Sequence, residues 1–317
     1  MWKASSILLV PIWLALGAEP PLELRGVIEP SPGMVRVTLR GADSPYHAET
    51  FTDGRGRFRF SRLAPGSYTV TAFIAGAGEL RQTVVVSAKL ADSRRRVAVT
   101  LPVPTSPQTA AKSLEERSTV SVGQLAIPQR ALNEYRNAER RLNRHDIEGA
   151  RQRLKRAVEI APQFVAAWNH LGTIAYQSGD YEQAEKYFRT ALEHEPGAFT
   201  PAVNLGGTLL SLRRFEEALK YNQYAAGERP DDALANSQLG QNHFFLGDFD
   251  KALKYLQEAK RLDPAHFSQP QLVLAEIYQR RGDRAQAIAE LEDFLARHPD
   301  SRNAEAARRW LEQLRGK

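Results

Sequence analysis

Residues 165–198 read VAAWNHLGTIAYQSGDYEQAEKYFRTALEHEPGA, and this stretch decides the fold. Its closing Pro196 is one of five prolines, with Pro162, Pro230, Pro264 and Pro299, spaced 34, 34, 34 and 35 residues apart. A fixed period of this size means stacked structural units. With each proline as position 32, the units are 131–164, 165–198, 199–232, 233–267 and 268–301, the fourth one residue longer. Columns then appear. Position 8 is Ala138, Gly172, Gly206, Gly240 and Ala275, and position 20 is Ala150, Ala184, Ala218, Ala252 and Ala287. Position 27 is alanine in four units and Phe294 in the fifth. Small residues at 8 and 20 predict two helices per unit that cross closely there, with the two positions facing each other. Proline at 32 ends the second helix, since it lacks the N–H of the helical ladder. Gly179-Asp180, Gly247-Asp248 and Gly282-Asp283 predict a left-handed helix stop followed by an N-cap acceptor. The third unit has Arg213-Arg214 there, which predicts a looser turn.

This pattern resembles the tetratricopeptide repeat. The second unit carries the fullest match, with Trp168, Leu171, Gly172, Ala184, Phe188, Ala191 and Pro196. The resemblance extends over a solenoid at 129–301, and 302–317 reads as an amphipathic capping helix with Ala306, Ala307, Trp310, Leu311 and Leu314 inward. It implies that the first helix of each unit lines a concave groove. Mapped onto this chain, the groove residues are Tyr135, Asn169, His170, Thr173, Tyr176, Asn204, Gln238, Gln241 and Phe244, together with Gln177, Phe245 and Arg280. Amides such as Asn204 and Gln238 can bond an extended peptide backbone, and the aromatic rings offer apolar pockets for its side chains. One of Phe244 and Phe245 is expected to pack between units instead. The family's clamp for a chain-terminal carboxylate is matched only at Asn204: Asn169 stands where a lysine belongs, and Leu234 and Gln238 replace its last pair. Recognition of a chaperone tail is therefore not expected.

Residues 22–103 alternate with period two instead. Val35, Val37 and Leu39 share a face, as do Phe58 and Phe60, and Tyr68, Val70, Ala72 and Ile74, with breakers between the runs. About seven short strands in some eighty residues predict a small antiparallel β-sandwich. Thr52-Asp53-x-x-Gly56-x-Phe58-x-Phe60 followed by Leu63-x-x-Gly66-x-Tyr68-x-Val70 resembles the carboxypeptidase regulatory-like domain, a transthyretin-like sandwich. The resemblance implies a non-catalytic accessory module. Gly56 and Gly66 are expected at positive φ in tight turns, Asp53 bonded back to its own turn, and the three aromatic residues in the core.

Two segments flank these parts. Residues 1–18 have Lys3, an apolar run from Ile7 to Leu16 and Gly17-Ala18, the three parts of a cleavable secretory signal, and too short a run to span a bilayer. Residues 104–128 are rich in proline, serine and threonine and predict an extended tether, so that the folded parts move relative to each other.

Composition narrows the chemistry. The 317 residues contain no cysteine, which excludes disulfides, thiolate nucleophiles and cysteine metal sites. The net charge of +6 is spread along the chain, which does not favour nucleic-acid binding. No two of the seven histidines have the spacing of a helical metal pair, and no nucleophile elbow or phosphate loop is found. The sequence therefore predicts an exported, non-enzymatic interaction scaffold, without cofactor, metal or transmembrane span, that binds a protein or peptide in the groove. The alternative is a sandwich that binds the cell envelope or its glycan while the solenoid serves assembly.

Overall fold

A computed structural model describes residues 20–42, 44–103 and 127–316 of the protein. The signal segment 1–18 and nearly all of the tether lie outside them.

The sandwich has seven strands among the described residues: β1 (Leu22–Glu29), β2 (Arg36–Gly41), β3 (His47–Phe51), β4 (Arg57–Leu63), β5 (Gly66–Ile74), β6 (Gly78–Val86) and β7 (Arg96–Pro102). They form a three-stranded sheet, β4-β1-β7, and a four-stranded sheet, β3-β2-β5-β6. The alternating apolar positions meet between them, with Leu24, Val37, Leu39, Phe58, Val70 and Leu101 all buried. One pairing departs from the antiparallel expectation. β1 and β7 run parallel, Leu24 opposite Val97 and Ile28 opposite Leu101. Tight turns impose antiparallel pairing only on consecutive strands, and β7 reaches β1 by crossing from the other sheet.

The turn motif is assembled largely as expected. The Asp53 carboxylate accepts from the amides of Arg55 and Arg57, at 2.9 and 3.0 Å, and these bonds hold it below the usual carboxylate range. Gly56 adopts φ +75°. Gly66 does not take positive φ. It opens β5 opposite Val86, and Arg62 takes the left-handed conformation at φ 61°.

The solenoid consists of five helix pairs: α1 (Gln129–Leu142) with α2 (Ile147–Ile160), α3 (Val165–Gln177) with α4 (Tyr181–His194), α5 (Phe199–Ser211) with α6 (Phe215–Glu228), α7 (Ala233–Phe245) with α8 (Phe249–Leu262), and α9 (Pro270–Arg280) with α10 (Arg284–Arg297). A last helix, α11 (Ala304–Arg315), caps the array. It buries Ala304, Ala307, Leu311 and Leu314, while Ala306, expected inward, is exposed.

The turns inside the pairs follow one geometry. Gly179, Gly247 and Gly282 lie near φ +80°, and Asp180, Asp248 and Asp283 accept from the amides of Gln183, Lys251 and Gln286. The third turn is not looser. Arg213 adopts φ 60°, Arg214 keeps the same backbone bond to the carbonyl of Leu209, and its guanidinium pairs with Glu185 and Glu217 instead of capping.

The close crossing at position 8 is made against position 24 rather than 20. A Cβ on Gly172 would fall 2.4 Å from the Phe188 ring, on Gly206 2.0 Å from Asn222 Oδ1, and on Gly240 2.6 Å from Leu256. The inter-unit loops are closed by position 4. Trp168 Nε1, Asn236 Nδ2 and Gln271 Nε2 donate to the carbonyls of Pro162, Pro230 and Pro264 at 2.7, 2.8 and 2.8 Å.

Candidate binding surface on the concave face

The first helices present the expected residues, but many bond to one another. Asn204 Nδ2 donates to Asn169 Oδ1 at 2.9 Å, an amide link between neighbouring units. Thr173 turns its hydroxyl back to the carbonyl of Asn169 at 3.0 Å. Gln238 lies over Gly207, where a Cβ would come within 2.4 Å of its amide nitrogen. Gln241 Nε2 reaches Ser237 Oγ at 3.3 Å. Tyr135 stacks on His170 with ring centroids 5.1 Å apart.

The hollow is not open along its whole length, because the sandwich docks on the solenoid through its four-stranded sheet. Near the first two units, Gln177 Nε2 donates to the carbonyl of Ala42 at 3.1 Å, and Tyr46 stacks on His145 at 5.1 Å. Arg40 faces Tyr135, Glu139 and His170, and His47 faces His170. At the opposite edge, β6 runs past the inter-unit loops. Arg81 pairs with Asp232 at 2.7 Å, the Thr83 amide donates to Asp263 Oδ2 at 2.9 Å, and just beyond the strand Lys89 pairs with Asp300 at 2.7 Å. β6 is an edge strand, so Asp263 satisfies an N–H that the sheet leaves unpaired. These contacts correct the expectation of a freely moving tethered pair: the two folded parts hold each other.

The seam is rich in buried titratable groups. Burial, with Arg40 and His47 nearby, pushes His170 down to about 3, and burial lowers His47 as well. His266, beside Arg81 and Asp232, is pushed down to about 3, again chiefly by burial. Burial also holds the carboxyls of Glu139 and Asp263 above the usual range. At neutral pH these histidines are uncharged and accompany Arg40 and Arg81 without repulsion.

Tyr135, His170 and Gln177 thus lie beneath the sandwich. What stays exposed is a strip at the C-terminal ends of α3, α5 and α7. Tyr176 is 37% exposed and lies 3.2 Å from Ser211 Oγ, and Phe245 is 48% exposed and stacks on Phe215 at 4.6 Å. Phe244 packs between the fourth and fifth units, against Phe249 and under the Arg280 guanidinium, 5.2 Å from its ring centre. Among the described residues no three metal-ligating side chains converge, and no helix is long and apolar enough to cross a membrane.

Comparison with known proteins agrees with this architecture. Tetratricopeptide repeat models match residues 135–201, 171–233, 233–266 and 271–301. The chain belongs to the tetratricopeptide repeat family. Its N-terminal part, residues 29–102, matches the carboxypeptidase regulatory-like domain. No curated protein matches the chain. Among solved structures, the tetratricopeptide solenoid is similar to the Cut9–Hcn1 hetero-tetramer of the APC/C, with 22% identity, 60% of this chain, 37% of that chain and a TM-score of 0.53. MamA from Desulfovibrio magneticus RS-1 shares 23% identity over 56% of this chain and all of its own, with a TM-score of 0.49. YrrB, described as a TPR protein with an unusual peptide-binding site, shares 22% identity over 60% of this chain and 98% of its own, with a TM-score of 0.47. At these identities the likeness is one of fold. Membership of the tetratricopeptide repeat family supports a protein-interaction scaffold.

Proposed function

We propose that this chain is an exported, non-enzymatic scaffold that binds an extended segment of a partner protein along the strip from Tyr176 through Ser211 to Phe245. The observation that carries the reading is the pair of exposed aromatic rings on first helices, Tyr176 with the Ser211 hydroxyl beside it and Phe245 further along, at the part of the concave face that the sandwich leaves uncovered. Rings so placed offer apolar contact at little entropic cost, and the Ser211 hydroxyl, which donates to the carbonyl of Gly207, keeps acceptor capacity for a peptide N–H. A shallow site of this kind suits micromolar affinity, about −8 kcal/mol. Export rests on the signal-like residues 1–18, and mass spectrometry of the mature chain should find it starting near Glu19.

The test is a photo-crosslinker placed in the full chain at Tyr176, at Phe245 or, as control, at Tyr135. Adducts to the same partner from the first two positions, abolished by Tyr176→Ala combined with Phe245→Ala, support the reading. Adducts mainly from Tyr135 place the partner beneath the sandwich and defeat it.

A further inference from the structure

The sandwich's other face is free of the seam. The contacts with the solenoid described above are made by the four-stranded sheet and the chain just beyond β6, so the outer face of β4-β1-β7 points away from them. That face is lined with arginine. Arg25 on β1 lies directly opposite Arg59 on β4, and Arg57 is paired with Val27 one step further along the same face. Like charges facing across strands repel, at a cost of roughly 0.2–1 kcal/mol per pair, and no packing within the sheet requires them. Glu23 accepts from Arg25, and Asp53 pairs with Arg57 at 2.8 Å, but Arg59 has no carboxylate partner among the described residues. The face also holds a shallow, open depression. A cleft of about 840 Å³ is lined by these three arginines with Val27, Thr100 and Phe51, and a second of about 560 Å³ continues it past Arg25 and Ala98 towards Arg96.

We propose that this cleft binds an acidic polysaccharide through its carboxylate groups. The arginine forks match planar carboxylates two bonds at a time, and threonine hydroxyls beside them suit sugar hydroxyls. The cleft offers donors in excess, while its carboxylates Asp53 and Asp92 are already engaged by Arg57 and Arg96. β1 is paired on both sides, so its backbone has no free ladder to extend. A bound peptide would leave its own N–H groups without acceptors there, whereas a polyanionic glycan is acceptor-rich and needs none. Phe51 is the single aromatic ring exposed in the cleft, too few for the stacking that single-stranded nucleic acid requires.

The experiment uses the full chain and a size-defined oligogalacturonate, followed by calorimetry at low and at high salt. Binding is expected, weakened by salt and absent with the methyl-esterified oligomer. Arg59→Ala and Arg25→Ala should each weaken it by about tenfold, with Arg59→Lys in between, and Arg130→Ala on the solenoid should leave it unchanged. All three side chains are exposed, and unaltered thermal midpoints check that folding is intact. The proposal is overturned by no binding, by equal binding of the esterified oligomer, by indifference to Arg59→Ala, or by tighter binding of polyglutamate, of oligothymidylate or of anionic vesicles. Crosslinking from Tyr176 reads the solenoid strip separately, so either proposal can fail alone.

Discussion

Arg213 occupies a backbone position that three other units give to glycine. Its φ of 60° matches the left-handed turn residues Gly179, Gly247 and Gly282, so the turn keeps its geometry and the backbone at Arg213 bears the strain. Left-handed backbone costs a non-glycine residue roughly 1–2 kcal/mol, and the added freedom of an unfolded glycine offsets about 0.5–1 kcal/mol of that. Arg213→Gly should therefore stabilise the chain by about 0.5–1 kcal/mol, read as a higher urea midpoint at unchanged slope. Gly172 behaves in the opposite sense. Alanine would gain about 1 kcal/mol in helix propensity, but its Cβ would meet the ring of Phe188, which is 1% exposed and cannot yield. Overpacking of about 1–3 kcal/mol wins, and Gly172→Ala should lower the midpoint. The small-residue column was legible in the sequence, but its partner was not. Position 20 is small in every unit and so looks like the facing position, whereas position 24, where Phe188, Asn222 and Leu256 sit, is the one that the glycine accommodates.

At the scale of elements, strands with one wet face and helices with a fixed unit length could be read directly, and β3 could not. In His47–Phe51 both His47 and Ala48 are buried, His47 on the outer face of its sheet and Ala48 in the core, so the alternation vanishes. The solenoid supplies that second burial, and nothing within the strand announces it. β6 shows the same effect at Thr83, 2% exposed on the outer side of its sheet. The Asp263 carboxylate is what makes that burial tolerable. Asp263→Ala should leave the Thr83 amide unpaired, at a cost of about 1–3 kcal/mol, and speed its hydrogen exchange more than that of Leu39 in the sandwich core.

The association of the two folded parts belongs to the whole molecule and was hidden from sequence for a physical reason. Its bonds join residues 151 and 180 positions apart, Arg81 to Asp232 and Thr83 to Asp263, and each residue alone reads as a solvated strand or loop position. The same seam sets how the molecule responds to acid. His47, His170 and His266 are held neutral, with folded values below the ordinary 6.5, at about 3 for the last two. Between pH 6.5 and about 3 the unfolded chain binds more protons at these sites than the folded one, so stability rises with pH across that window and is lost as pH falls through it. Glu139 and Asp263, raised by burial, act in the opposite direction above their ordinary carboxyl values, where the three histidines outnumber them. Protonated His47 and His170 would face Arg40, and protonated His266 would face Arg81, partly offset by Asp232 and, at His47, by Glu49. Acidification from pH 7 to about 4.5 should lower the thermal midpoint and, before general unfolding, lengthen the distance between spin labels on the sandwich and the solenoid. His170→Gln should flatten the pH dependence of that distance, and a distance that stays constant while the midpoint falls would show that the histidines lower stability without parting the seam.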